Sequence, residues 1–513
     1  MQTYMRNMIA MAAAAVLAIV TLTATAQSAR AQAAAAAPAQ PAGKKAKAVK
    51  DTGEYDIYNE VIKDASPQGN PAACKDVPAA QAQQCQAKKF LADLDTWSQK
   101  YPDTEFKDVR IMYYVQGYAN NNEAGKALDA AKPLVDKGID GLKDGLDNDG
   151  SVLNLLFLTS RAAAAQAASG TPSAEQLATG ANAAQLLSDF GKMFFAKDKK
   201  PATMADDQWA DGLKQIEGQA QGTKFQIAMY PGLSIAKANT TKDANACASA
   251  EAAFRKTLQD YPEGGLVLVE LAKATLCQQS VSPAKVPQAL YLYARAVSMP
   301  VGGAAGLAAA DQKNIDDYLK RAYTGYHGSD EGLADLKAMA AKSPAPPADF
   351  KIKTASQISA EAEEEFKTKN PQLAMWMGVK GKLADADGVQ YFETSLKGTA
   401  MAGEGGAKLL KGKLLEAKPA CRSKELLVAI PVPGQTGTPA AEITLKLAAP
   451  LTGKPEIGRD IQFNGAPSAF TKEPFMLTLD SEKADIDGLT VTPCTAAAPA
   501  PKKGVAAPAP KKK

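Results

Sequence analysis

The stretch LDTWSQKYPDTEF, Leu94–Phe106, closes one amphipathic run on Tyr101-Pro102 and opens another at once. FRKTLQDYPEGGLVLVELAKATL, Phe254–Leu276, does the same around Tyr261-Pro262. Phe90, Leu94, Trp97 and Tyr101 fall at i, i+4, i+7 and i+11, which is a single stripe on an α-helix. Proline ends that helix, because it has no N–H to donate and its ring clashes with the preceding turn. The next run carries Phe106, Val109 and Tyr113. A chain that stops a helix and restarts one over so short a joint lays the two side by side, antiparallel.

Working outward, helical spacing holds from Glu54 to Lys342. Further helices are expected at about 123–137, 151–168, 173–196, 205–221, 224–239, 246–260, 265–278, 285–299, 311–324 and 330–341. Ala250, Phe254, Thr257 and Pro262 are spaced by four, three and five; Ala289, Tyr293, Ala296 and Pro300 follow the same order, and Ala127, Ala131 and Leu134 fit loosely. On the helices before them, Leu268, Leu271, Ala272 and Thr275 match the spacing of Ile111, Tyr114, Val115 and Tyr118. Small residues let two helices approach, and the large residue beside them fills the gap to the next pair. This pattern resembles the tetratricopeptide repeat (TPR), a stack of helix hairpins of about 34 residues. The resemblance covers about 86–141 and 246–300, with a degenerate pattern between. It implies a mainly α chain, a TPR-like solenoid, that recognises a protein or peptide partner.

The N-terminus MQTYMRNMIAMAAAAVLAIVTLTATAQ has Arg6 before an apolar run, Met8–Leu22, that is short for a membrane span. Ala24-Thr25-Ala26 and Ala31-Gln32-Ala33 offer cleavage sites, so residues 1–26 read as a secretory signal and 27–53 as a disordered Ala/Pro/Lys leader. No later segment is apolar enough to span a bilayer, and a periplasmic or secreted bacterial address is expected. The six cysteines suit an oxidising compartment, and their order suggests Cys74–Cys85, Cys247–Cys277 and Cys421–Cys494. Cys247 and Cys277 each lie fifteen residues from Pro262, so a reversal there brings both thiols to one end of a hairpin. Zinc is the rival reading, but the spacings are wrong for paired knuckles and His327 is the only histidine.

The charge is unevenly placed. Residues 1–50 hold six basic groups and no acid, and 495–513 hold five lysines and no acid. Removing those eleven from 59 leaves 48 basic groups against 55 acids over 51–494. A net-acidic body lacks the cationic footprint of a nucleic-acid binder.

KSPAPPADFK, Lys342–Lys351, breaks the helical pattern, and 343–397 reads as a linker with connecting helices. After Gly398 the period shortens. AKLLKGKLLEAK, KELLVAIPV, AEITLKLAA, RDIQFNGAPSAF and PFMLTLDS are five strand-like runs that suggest a small all-β barrel or sandwich over 398–494, with an oligonucleotide/oligosaccharide-binding (OB)-like barrel preferred. Gly412 and Gly465 are expected at bulges. Residues 495–513 read as a disordered basic tail.

No catalytic or cofactor constellation emerges, and no metal site. His327 stands alone near a helix end. DNDGS, Asp147–Ser151, lacks the Glu of a calcium loop and reads as a helix start capped by Asp149 or Ser151. Ser234–Lys237 matches S-x-x-K without companion motifs, as does Ser282–Lys285. The glycine groups at 302–306 and 403–406 lack phosphate-loop order, and Glu361, Glu363, Glu364 and Glu365 read as a solvated helix face. Tyr113, Tyr114 and Tyr118 are the candidate partner-binding surface. The expectation is a non-enzymatic envelope scaffold. The alternative is a glycan- or polymer-binding β domain held on a helical stalk.

Overall fold

The structure is a computed structural model that describes residues 47–66, 74–399, 410–432 and 439–494. The expected signal, most of the leader, the glycines of 403–406 and the tail lie outside the described residues. The chain divides into two compact units at Lys353/Thr354.

The first unit is helical. Its elements are α1 (Thr52–Ala65), α2 (Ala79–Lys100), α3 (Lys107–Asn120), α4 (Ala124–Val135), α5 (Gly138–Gly145), α6 (Asp149–Ser169), α7 (Ala174–Phe194), α8 (Asp206–Ala238), α9 (Ala244–Asp260), α10 (Gly265–Leu276), α11 (Lys285–Ser298), α12 (Ala309–His327) and α13 (Leu333–Lys342). Consecutive helices pack as pairs: α3 with α4, α6 with α7, α8 with α9, and α10 with α11. The small residues do what their spacing implies. Ala127, Ala131, Ala250 and Ala289 are all buried, and Phe254 and Tyr293 fill the space beside them. Both Tyr-Pro joints share one backbone conformation: the C-cap tyrosine has φ −131° and ψ 64° at Tyr101, and φ −130° and ψ 67° at Tyr261.

Two helix readings are corrected. The spans 205–221 and 224–239 are one 33-residue helix, α8. Gly222 does not break it, because the Thr223 hydroxyl anchors that turn to the Ser160 carbonyl at 3.0 Å. The helix at Asp147–Ser151 starts from Asn148, whose side chain accepts the Ser151 N–H at 2.9 Å, so neither Asp149 nor Ser151 is the cap.

The second unit begins with α14 (Ala355–Lys369), α15 (Pro371–Ala384) and α16 (Gly388–Tyr391). α15 and the segment that follows α16 pack into the β region, whereas α14 buries no residue of its own. Trp376, Leu383, Phe392 and Leu396 share one buried cluster with Leu414, Val428, Leu445, Phe463 and Leu479. The main strands are β1 (Leu410–Lys418), β2 (Glu425–Ala429), β3 (Ile443–Leu447), β5 (Asp460–Phe463), β6 (Ala466–Lys472) and β7 (Phe475–Ser481); β4 (Lys454–Pro455), β8 (Ile486–Asp487) and β9 (Val491–Thr492) are two-residue pairings. β1, β2 and β3 form an antiparallel meander, β7 joins β3 in parallel, β6 pairs β7, and β5 pairs β1. Only Asn464-Gly465 separates β5 from β6, so the two act as one bent strand that closes the ring. The result is the OB-like barrel, with the parallel β3–β7 pairing making its sheet mixed. The alternation of Ile443, Leu445 and Leu447 with Thr444 and Lys446 sends the first three inward. Gly465 sits at the bend. Gly412 does not mark a bulge; a Cβ there would meet Val428 Cγ1, and the register shift in β1 falls between Leu414 and Glu416.

All three disulfides pair as the cysteine order suggests, with Cα–Cα distances of 6.1, 6.0 and 6.1 Å for Cys74–Cys85, Cys247–Cys277 and Cys421–Cys494. Among the described residues no helix is long and apolar enough to cross a membrane.

Candidate functional site

The side chains that sequence reading singled out part company in the fold. Tyr114 and Tyr118, one helical turn apart on α3, stack with ring centroids 5.9 Å apart. The Tyr114 hydroxyl donates to Asp95 Oδ1 at 2.7 Å, and the Lys126 ammonium lies 5.6 Å from the centre of the Tyr118 ring. Tyr113 is turned into the core, edge-on to Phe90 at 6.0 Å, where burial pushes its phenol well above the usual range. The structure therefore brings two of the three together at the surface.

A second tyrosine group carries more shape. α10, α11 and α12 enclose a cleft of about 280 Å³ lined by Leu276, Val286, Leu290, Tyr293, Tyr318 and Tyr326. Tyr293 and Tyr318 meet edge to face at 5.0 Å, and burial, with Tyr318 beside it, pushes the Tyr293 phenol up. Gly325 also faces the cleft, and a Cβ there would touch nothing within 4 Å. The remaining lining residues, Gln279, Ala289 and Ala322, bring no charge. Such a wall suits an apolar or aromatic group with a polar rim, because tyrosine offers a ring face and a hydroxyl together. Its tyrosines are the only ionisable side chains in its lining.

The mouth of the cleft is pinned from behind. Cys277 follows Leu276 and is bonded to Cys247. Glu251 of α9 accepts from Arg255 Nε at 2.9 Å and Nη2 at 2.7 Å, Gln278 Nε2 at 2.6 Å and Lys285 Nζ at 2.9 Å. Burial pushes the Glu251 carboxyl up, but the bonds from Lys285, Arg255 and Gln278 outweigh it and hold the acid below its ordinary range. This hub ties α9 to the loop that precedes α11. Only the i,i+4 pair with Arg255 is local; Gln278 and Lys285 lie 27 and 34 residues away, and the sequence offers no local signal for them.

The other groups that the sequence singled out, and the one acidic cluster, are likewise engaged structurally. Glu60, Asp64 and Asp93 place carboxylate oxygens within 4.8 Å of one another, but Lys89 already serves as their cation, at 3.3, 3.0 and 2.5 Å respectively. His327 ends α12, and its Nδ1 meets the Lys353 carbonyl at 2.9 Å. The Ser234 hydroxyl donates to the Pro231 carbonyl at 3.0 Å inside α8, and Lys237 is exposed. Glu363, Glu364 and Glu365 pair along α14 with Lys367 and Lys369. On the barrel, the outward positions of β1–β3 include Lys411, Lys413, Lys418, Glu425 and Lys446, with no aromatic ring for a base or sugar to stack on.

No family model matches this chain, and neither a curated protein nor a solved structure does.

Proposed function

We propose that this chain is an exported, non-enzymatic scaffold that binds a protein or peptide partner in the bacterial cell envelope, through helix hairpins similar to those of the tetratricopeptide repeat. The observation that carries the reading is the tyrosine-walled cleft of α10–α12: open, uncharged and braced by a disulfide and a buried ion-pair hub. Three disulfides favour an oxidising compartment, and the apolar N-terminal run with its small-residue sites favours export. The rival, a glycan- or polymer-binding barrel, draws less support from an outer face of lysines and glutamates.

A photo-crosslinking residue placed at Gln279 in intact cells tests the proposal. The expected result is a discrete crosslinked protein that is lost when Gly325→Leu fills the cleft and kept when the second unit, residues 354–513, is deleted. Loss of the crosslink on that deletion, with the helices still folded, would hand the function to the barrel.

A further inference from the structure

A second surface lies between α6 and α8. The Ser160 hydroxyl donates to Thr223 Oγ1 at 2.8 Å along the seam between these helices. Gly180 of α7 sits against both Ala163 and Ile227, so α7 covers one side of the seam. Both pairings rise together along the chain, so α6 and α8 run parallel. With 3.6 residues per turn, the side away from α7 then carries Asn154 and Arg161 from α6, and Gln215, Gln219, Gly222 and Gln226 from α8. Four amides and one cation line this valley.

Three features there are left incomplete by the chain itself. Arg161 is half-buried and, among the described residues, has no ion pair or hydrogen bond; burial alone pushes its guanidinium down, with no charged neighbour to offset it. By contrast Arg110, Arg255 and Arg295 of the same unit each donate to named acceptors. Gln215 Oε1 and Gln226 Oε1 are shut off from solvent with no donor in reach. Gly218 and Gly222 stand inside α8 with open space where a Cβ would be, although glycine weakens a helix interior. Packing explains other helical glycines: a Cβ at Gly191 would lie 2.6 Å from Ile216 Cγ2, and one at Gly232 would lie 2.5 Å from Phe254 Cε1. It does not explain these two.

We infer that the α6–α8 valley docks an extended acidic segment of a partner protein, its backbone held by the amides of Asn154 and Gln219 and by the side-chain N–H groups of Gln215 and Gln226, whose oxygens are turned inward, and a side-chain carboxylate held by Arg161. This rests on the scaffold reading above but uses a different surface from the tyrosine cleft. Amide side chains both donate and accept, as a peptide backbone does. A guanidinium without a counter-ion selects a carboxylate, which it can grip with two parallel hydrogen bonds. The glycines leave the floor low enough for a main chain to approach. One arginine among neutral amides does not supply the several cations that a nucleic-acid backbone requires.

The test uses the mature chain and an array of dodecapeptides on an Ala/Ser background, each with one Asp, beside a matched set with Asn. Retention on Asp members should exceed that on Asn members by about tenfold, the value of one good charge-assisted pair. Arg161→Gln should abolish the difference. Gly222→Leu should abolish retention on both sets while the melting temperature holds or rises, because the new side chain enters open space. Equal retention on Asp and Asn sets, absence of retention, or an Arg161→Gln variant that binds like the parent would overturn the inference. None of these outcomes touches the crosslink from the tyrosine cleft, so the two readings fail separately.

Discussion

The joints at Tyr101-Pro102 and Tyr261-Pro262 have nearly the same backbone and different fastenings. At the first, Arg110 of α3 reaches back and donates to the carbonyls of Trp97 at 3.3 Å, Tyr101 at 2.7 Å and Pro102 at 3.3 Å, with its guanidinium 5.6 Å from the centre of the Trp97 ring. The Trp97 carbonyl also accepts the Tyr101 N–H at 2.9 Å, so Arg110 adds to that cap and supplies the Tyr101 and Pro102 carbonyls just beyond the helix. Glu54 of α1 completes the arrangement by accepting the Trp97 indole N–H at 3.1 Å. At the second joint the residue nine after the tyrosine is Glu270, which pairs instead with Lys273 at 2.7 Å. There the turn closes on itself, Gly264 N–H to the Tyr261 carbonyl at 2.9 Å, and Tyr261 sits edge-on to Phe225 at 5.2 Å. The strong fastening has moved to the far end of the hairpin, where Cys247–Cys277 and the Glu251 hub lie. A proline and a tyrosine set the turn; what holds it depends on which neighbour reaches it.

The comparison can be broken from either side. The largest effect is expected from Cys247→Ser with Cys277→Ser. Releasing a cross-link of sequence separation 30 removes about 3–4 kcal/mol of stability from the second hairpin. Urea unfolding followed by hydrogen exchange of α9 and α10 would read it, with α2 and α3 unaffected. Next comes Arg110→Met, expected to cost about 3 kcal/mol, because several buried carbonyls lose a charged donor at once. Glu270→Met at the matching position of the other joint should cost under about 1 kcal/mol, since its ion pair with a half-exposed lysine is weak. Equal costs would show that the two joints are held alike after all.

A smaller pair of changes separates packed from unpacked glycine. Gly232→Ala should destabilise by about 1–3 kcal/mol, because its Cβ would press into the Phe254 ring beside the second joint. Gly222→Ala, ten residues earlier in the same helix, should stabilise by about 0.5–1 kcal/mol. Thermal melting of both variants decides the point.

The mildest effect is on pH dependence. Glu54 at the first joint and Glu251 behind the second both have carboxyls held below their ordinary value of 4.5, in each case by hydrogen bonds that overcome burial. A depressed acid contributes stability above its unfolded pKa and loses it as the pH falls through the lower folded value. Stability should therefore hold from neutral pH to about pH 4.5 and then decline. Glu54→Gln should flatten the decline for the first hairpin alone and Glu251→Gln for the second alone, measured by melting temperature against pH.

Much of this was legible in the residues. The i, i+4, i+7 stripe of Phe90, Leu94 and Trp97 names a helix by itself, because periodicity records which face is buried. The cysteine pairs were legible because each joins consecutive cysteines, although Cys421 and Cys494 lie 73 residues apart. The five strands were legible from their period of two and the turn residues between them. The candidate site was hardly legible. Tyr113 and Tyr114 are adjacent in sequence and face a hundred degrees apart, so a cluster in the string is not a cluster in space. The tyrosines of the cleft are 25 residues apart from Tyr293 to Tyr318 and carried no local signal at all.

The sequence by itself determined the order of helices and strands, the two Tyr-Pro turns and the place of Cys247 and Cys277 at one end of a hairpin, since each depends on local backbone chemistry or short-range spacing. Tertiary structure alone decided that Arg110 caps the first turn, that Glu251 draws in Gln278 and Lys285, that α8 runs unbroken through Gly222, and that α15 joins the barrel core. Each of those depends on which side chain another element brings within about 3–4 Å, the reach of a hydrogen bond or a van der Waals contact, and local spacing does not encode that distance.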